Sequence, residues 1–141
     1  MKKLLALLTI GFISVLGTSF AFETVMKIPV NGEHVLFSRY LTTKASGLFY
    51  AKDNITKTKE GFYNVLSMVE YNNVNKQGVK RVVVEQYLAD EYYLVSRMIG
   101  YGADNSIVYD KNVESLKWNY ISPQDISSLL LYLAKEKFGE N

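Results

Sequence analysis

His34 is the only histidine and the chain has no cysteine, so most site chemistry is ruled out at once. Zinc, iron–sulfur and soft-metal centres need clusters of imidazole or thiolate ligands. A Ser-His-Asp hydrolase would have to use His34, yet no serine lies in a Gly-x-Ser-x-Gly turn. Asp53, Asp90, Glu91, Asp104 and Asp110 could in pairs act as acid and base. They fall at expected strand ends, where Asp and Asn stabilise turns by bonding their own backbone. Gly100-Tyr101-Gly102 lacks the third glycine and the following helix of a phosphate-cradling loop. The expectation is a protein that is not an enzyme and uses no metal or cofactor.

Aromatic polarity is the unusual feature. The 11 tyrosines all lie beyond residue 39, and tyrosine gives large contact area at low entropy cost in recognition surfaces, although it also suits half-exposed strands. The expected binding surface combines Tyr87, Tyr92 and Tyr93 with the lysine-bearing hairpin residues Lys76 and Lys80.

The elements that must hold such a surface read as strands followed by one helix. Segments rich in Val, Tyr, Phe and Thr cover 34–41, 48–52, 62–71, 79–88 and 91–99, with a short piece at 107–109. Asn72 to Gly78 is the expected hairpin loop, since Asn and Gly tolerate positive φ. In 79–88 apolar and charged residues share both alternating faces, so periodicity leaves the core side of that strand open. Residues 111–121, with Trp118, read as a connector. A helix is expected over 123–138, with Ser122 as N-cap, Pro123 in its first turn and Asp125 able to reach back to the cap. Ile126, Leu129, Leu130, Leu133 and Ala134 form its apolar stripe, and Gly139 stops it. The predicted fold class is α+β: a meander-like antiparallel sheet of five or six strands with the C-terminal helix packed on one face.

Ahead of this domain, Lys2 and Lys3 precede an uncharged run from Leu4 to Leu16, and Ser19-Phe20-Ala21 places small residues at the positions a signal peptidase reads. Residues 1–21 are expected to be a signal peptide cleaved near Ala21, leaving 22–141 as one domain. The apolar run falls short of the ~20 residues that cross a bilayer as a helix, and without a cysteine no lipid can be attached beside the cleavage site. Of the 16 basic residues, two are discarded with the leader while all 14 acidic residues remain. The mature balance is therefore neutral, and a nucleic-acid partner loses its support. The expected location is the periplasm, the cell surface or the medium.

The order of these features resembles the surface-adhesin protein E type domain of Gram-negative bacteria. Phe49-Tyr50-Ala51-Lys52-Asp53-Asn54-Ile55 is similar to its early strand and turn, and 61–71 to the strand that follows. Residues 80–96 resemble its central hairpin, and Trp118-Asn119-Tyr120-Ile121-Ser122-Pro123 its tryptophan leading into a serine-capped terminal helix. Family members usually carry one cysteine in that hairpin and another in the helix, where this chain has large residues around Tyr87 and Leu133. The resemblance implies an antiparallel sheet with a packed helix, no cofactor, and adhesion to a protein partner such as a host extracellular-matrix protein. The alternative expectation is a periplasmic accessory protein binding a small ligand between sheet and helix.

Overall fold

In the computed structural model, residues 23–114 and 116–141 are described. The expected signal peptide and its cleavage site lie outside the described residues. Strands β1 (Val25–Val30), β2 (Glu33–Thr42), β3 (Ser46–Tyr50), β4 (Thr56–Lys57), β5 (Tyr63–Tyr71), β6 (Arg81–Ala89), β7 (Tyr92–Tyr101), β8 (Ile107–Asn112) and β9 (Asn119–Tyr120) form one antiparallel sheet. Helix α1 (Ile126–Lys137) follows. The path across the sheet is β1-β2-β3-β5-β6-β7-β8, with β4 beside β5 and β9 beside β7.

The architecture is α+β as expected, but five or six strands is a correction: the described residues hold nine. β4 and β9 have two residues each, too short for any periodic signal. β1 contains Pro29, a residue that cannot donate to a ladder and that sheets tolerate at their edges. The turn after β1 is Asn31-Gly32, with φ of 53° and 79°, the left-handed pair that closes a two-residue hairpin.

The sheet is curled into a half-barrel. Met26, Ile28, Val30, Val35, Phe37, Phe49, Met68, Val83, Ile99 and Tyr101 come from six strands yet form one buried cluster on the inner face. Two irregularities set which side chains reach it. Ser96 is an extra residue in β7 opposite the Glu85/Gln86 junction, and Tyr40 is extra in β2 between Arg39 and Leu41. Each inserted residue reverses the facing of the residues after it. The bulge at Ser96 thus puts Arg97 and Ile99 inside while Tyr93 faces outward.

Backbone pairing stops at β1, and side chains close the gap to the far strands. The Tyr101 hydroxyl donates to Pro29 O at 2.5 Å. Arg97 donates to Asn31 Oδ1 at 2.8 Å and grips Asp110 through Nε and Nη2 at 2.9 and 2.7 Å. Deeper in, the Arg81 Nε lies 2.8 Å from Glu70 Oε2 and 3.1 Å from Met26 Sδ, while its Nη1 donates to Asn105 Oδ1 at 3.0 Å. Glu70 and Arg81 side chains are only 7% and 15% exposed, so each ion needs the other.

On the outer face, α1 covers the half of the sheet near the β6–β7 turn. Leu130 and Ala134 pack on Tyr63, Val65 and Leu88, with Leu131 alongside. The buried side of the helix is therefore Ser127, Leu130 and Ala134, and Ile126 from the expected stripe is 45% exposed. The helix also begins later than expected: Asp125, not Ser122, is its N-cap, and Pro123 lies outside the regular helix. Ser122 and Asp125 first form a turn, Asp125 N–H to Ser122 O at 3.0 Å, and the Asp125 carboxylate accepts from Ser122 N–H at 3.0 Å. The reach-back expected of Asp125 is present, one turn ahead of the regular helix. At the other end Gly139 takes φ 67°, and bonds from Gly139 N–H to Glu136 O and Glu140 N–H to Lys135 O close the helix as glycine stops do.

Glu70→Ala should lower stability by about 3 kcal/mol, because it strands the Arg81 guanidinium in a nearly dry site. Replacing both residues, Glu70→Leu with Arg81→Met, should cost less than the single change. Urea unfolding midpoints of the three proteins check the ordering.

Candidate functional site

Aromatic side chains collect where Asp90-Glu91 turns β6 into β7. The register pairs Ala89 with Tyr92 and Tyr92 with Tyr120, and the Tyr92 and Tyr120 rings meet edge to face at 6.1 Å. Phe62 and Trp118 have ring centroids 4.9 Å apart, although β6 and β7 separate their segments in the sheet. Only a strongly curled sheet lets them touch. Alternation along β6 puts Tyr87 on the same inner side as Val83. Phe62, Tyr87, Tyr92, Trp118 and Tyr120 therefore ring one open end of the half-barrel. Tyr120, Tyr92 and Trp118 are 61%, 46% and 38% exposed, an unusual cost in wetted aromatic surface unless something covers it.

The five residues expected to make one surface are divided. Tyr87 and Tyr92 belong to this aromatic rim. Tyr93 pairs with Leu88 and turns outward, half-buried beneath the helix layer. Lys76 is exposed in the β5–β6 loop, and Lys80 donates to Asn72 O at 2.7 Å. Both lysines sit beyond the opposite end of β6, roughly 27 Å from the rim for a nine-residue strand. Phe62, Trp118 and Tyr120 complete the rim and were not among the expected residues. The i, i+2 spacing of Trp118 and Tyr120 was their one sequence signal, the alternation of a strand.

Three of the five acidic candidates have structural partners. Asp110 is held by Arg97, and Asp104 accepts from the backbone and hydroxyl of Ser106 at 3.0 and 2.7 Å. Asp90 pairs with Lys135 at 2.6 Å. Asp53 lies in a short 3₁₀ turn, Lys52–Asn54, and Glu91 takes a φ of 71° in the β6–β7 turn. His34 is exposed on β2 opposite Pro29. Among the described residues, no group of three or more His, Cys, Asp or Glu side chains is placed to hold a metal ion.

Behind the rim is a polar cleft of about 390 Å³, lined in part by Lys57, Tyr63, Asp90, Lys135 and Glu140. The Glu140 carboxylate accepts from both the Lys57 ammonium and the Tyr63 hydroxyl. These donors hold Glu140 below the usual carboxylate range. Burial, reinforced by Glu140, pushes the Tyr63 phenol up to about 12. The cleft thus locks the end of α1 onto β4 and β5.

Because the folded chain favours neutral Tyr63, this contribution to stability is complete below pH 10 and is lost as pH rises through about 12. Tyr63→Phe should remove one titrating group and reduce the alkaline slope by about 1.4 kcal/mol per pH unit in that window. Thermal melts followed by circular dichroism from pH 9 to 12 measure it. Comparison of the chain with family models, with curated proteins and with solved structures gives no match, so the aromatic rim is interpreted from its own chemistry.

Proposed function

We propose that this chain is an exported, non-enzymatic binding module of the bacterial envelope that engages a protein partner through the aromatic end of its half-barrel. The observation that carries the reading is the rim itself: Tyr92 at the start of β7, Tyr120 in β9 and Trp118 just before it stand exposed together, with Phe62 packed on the tryptophan. Exposed Trp and Tyr on fixed backbone are the residue types that dominate protein-binding energetics. Export rests on the leader sequence, and a host extracellular-matrix protein as partner rests on the family resemblance. Among the described residues, no helix is long and apolar enough to cross a membrane.

Solid-phase binding of residues 22–141 to matrix proteins and to whole cells tests this. Trp118→Ala and the pair Tyr92→Ala/Tyr120→Ala should each weaken binding by about tenfold or more, the effect of losing an interface anchor. Lys76→Ala, at the other end of the sheet, should leave binding unchanged. Equal loss in all three, or no binding above a control domain, overturns the reading.

A second reading, a periplasmic accessory protein with a small ligand, is favoured by a cleft of about 260 Å³ between α1 and the 3₁₀ turn, lined by Tyr50, Lys52, Asp53, Ile55, Leu133 and Glu136 among others. It lies beside the helix–sheet contact, whose interior is filled by Val65, Leu88 and Leu130. A ligand at a hundred times its dissociation constant would add about 2.7 kcal/mol of stability. A thermal-shift screen that stays flat across metabolites and lipids removes this reading.

A further inference from the structure

The two edges of the sheet are treated differently. β1 is guarded: Pro29 has no N–H, its carbonyl is taken by Tyr101, and its hairpin tip is held by Arg97. β8 is open. Val113 N–H donates to Ser96 O at 2.9 Å, which sets the phase of the ladder. Tyr109, Lys111 and Val113 turn their backbone groups toward β7, while Asp110 and Asn112 turn theirs away from the sheet. Among the described residues β7 is the only strand beside β8. The charges that commonly protect an edge are folded back onto the sheet here. Asp110 has both oxygens on Arg97, and the Lys111 ammonium lies 5.3 Å from the centre of the Tyr109 ring. Tyr109 in turn lies flat on Gly100, where a Cβ would meet its Cε2 at 2.3 Å. Ile107 and Val108 stand 59% and 42% exposed at the start of the strand, where Val108 is an extra residue opposite the Gly100/Tyr101 junction and the regular ladder begins at Tyr109.

We propose that β8 pairs antiparallel with β8 of a second copy of this chain, centred on Asp110. Outward backbone groups must meet outward ones, which leaves two symmetric registers over this strand. Centring on Lys111 would set two ammonium groups face to face. Centring on Asp110 places Tyr109 opposite Lys111 of the second copy twice over, extending the ring–ammonium contact across the edge. The two central carboxylates then each keep an Arg97 fork, giving a row of alternating charge rather than a bare acidic pair. A six-residue strand pair buries well under the ~1,200 Å² of a standard interface, so the dimer is a weak one that forms at high concentration.

The β8 edge lies along the same side of β7 as β9 but further from the β6–β7 turn, and its pairing is tested separately from binding at the rim. Sedimentation equilibrium of residues 22–141 from the micromolar to the millimolar range should show monomers passing to dimers. Amide exchange at Asp110 and Asn112 should slow as concentration rises, while Lys111 is protected throughout. Asn112→Pro deletes an outward N–H that makes no bond within the sheet, and it should return the monomer with an unchanged melting temperature. If proline disturbs folding, Val108→Lys sets a solvated charge on the edge without touching the ladder and should have the same effect. Monomers at every concentration, dimers that survive both substitutions, or exchange at Asp110 and Asn112 that does not change with concentration would each overturn the pairing.

Discussion

A half-barrel whose first strand carries a proline cannot complete itself with backbone bonds, and the rest of the structure depends on how that gap is closed. Arg81, Arg97 and Tyr101 reach across from β6 and β7 to Met26, Asn31 and Pro29. All three start on the inner face, so the closure requires a register in which long polar side chains point into an otherwise apolar interior. Glu70 makes that tolerable by neutralising Arg81 where water is scarce, and Asp110 holds Arg97 nearer the surface. The apolar cluster of Ile28, Phe37, Phe49 and Met68 fills the space behind this polar seam.

The same curl that brings β1 over the sheet brings Phe62 to Trp118 at the other end. One sheet thus has two kinds of ending. Near the β1–β2 turn the inner face is sealed by ions and hydroxyls, and near the β6–β7 turn it is fringed by aromatic rings that remain wet. The helix lies on the outer face and takes no part in either ending. It acts as a plate behind the aromatic end, fixed by Lys137 to the carbonyls of Lys52 and Ile55 at 2.9 and 3.0 Å and by Glu140 to Lys57 and Tyr63.

What the sequence made legible was local. Strands β2, β3, β5, β6 and β7 and the helix could be read because β-favouring composition, the helix's apolar stripe, Asp125 and Gly139 act within a turn or a ladder of their own position. β1 was hidden by Pro29, even though Asn31-Gly32 beside it is a strong hairpin signal. The bulges in β2 and β7 have no signature of their own, and they decide which face each residue of those strands presents. That is why Tyr92 and Tyr93, adjacent in sequence, part company between rim and helix layer. Lys76 and Lys80 are near Tyr87 along the chain but lie past the other end of β6, since a strand carries its residues apart as fast as a chain can. Phe62 and Trp118 meet only through curvature, which no single segment encodes.

The β1–β2 hairpin gives the molecule a mechanical polarity. β1 enters at Val25, opposite Ser38, and runs toward its turn at Asn31. Tension applied at the N-terminus would therefore peel β1 from β2 one pair at a time, breaking backbone bonds in series rather than all at once. The first anchorage such a tear meets is Arg81 on Met26, then Tyr101 on Pro29, and last Arg97 on Asn31 at the tip. Force entering through the C-terminus meets instead Glu140 and Lys137, bonded to the 3₁₀ turn and to the segments that follow it. Pulling on the tail would load these bonds and the helix–sheet contact together, whereas pulling on the head would open β1 like a zip fastener.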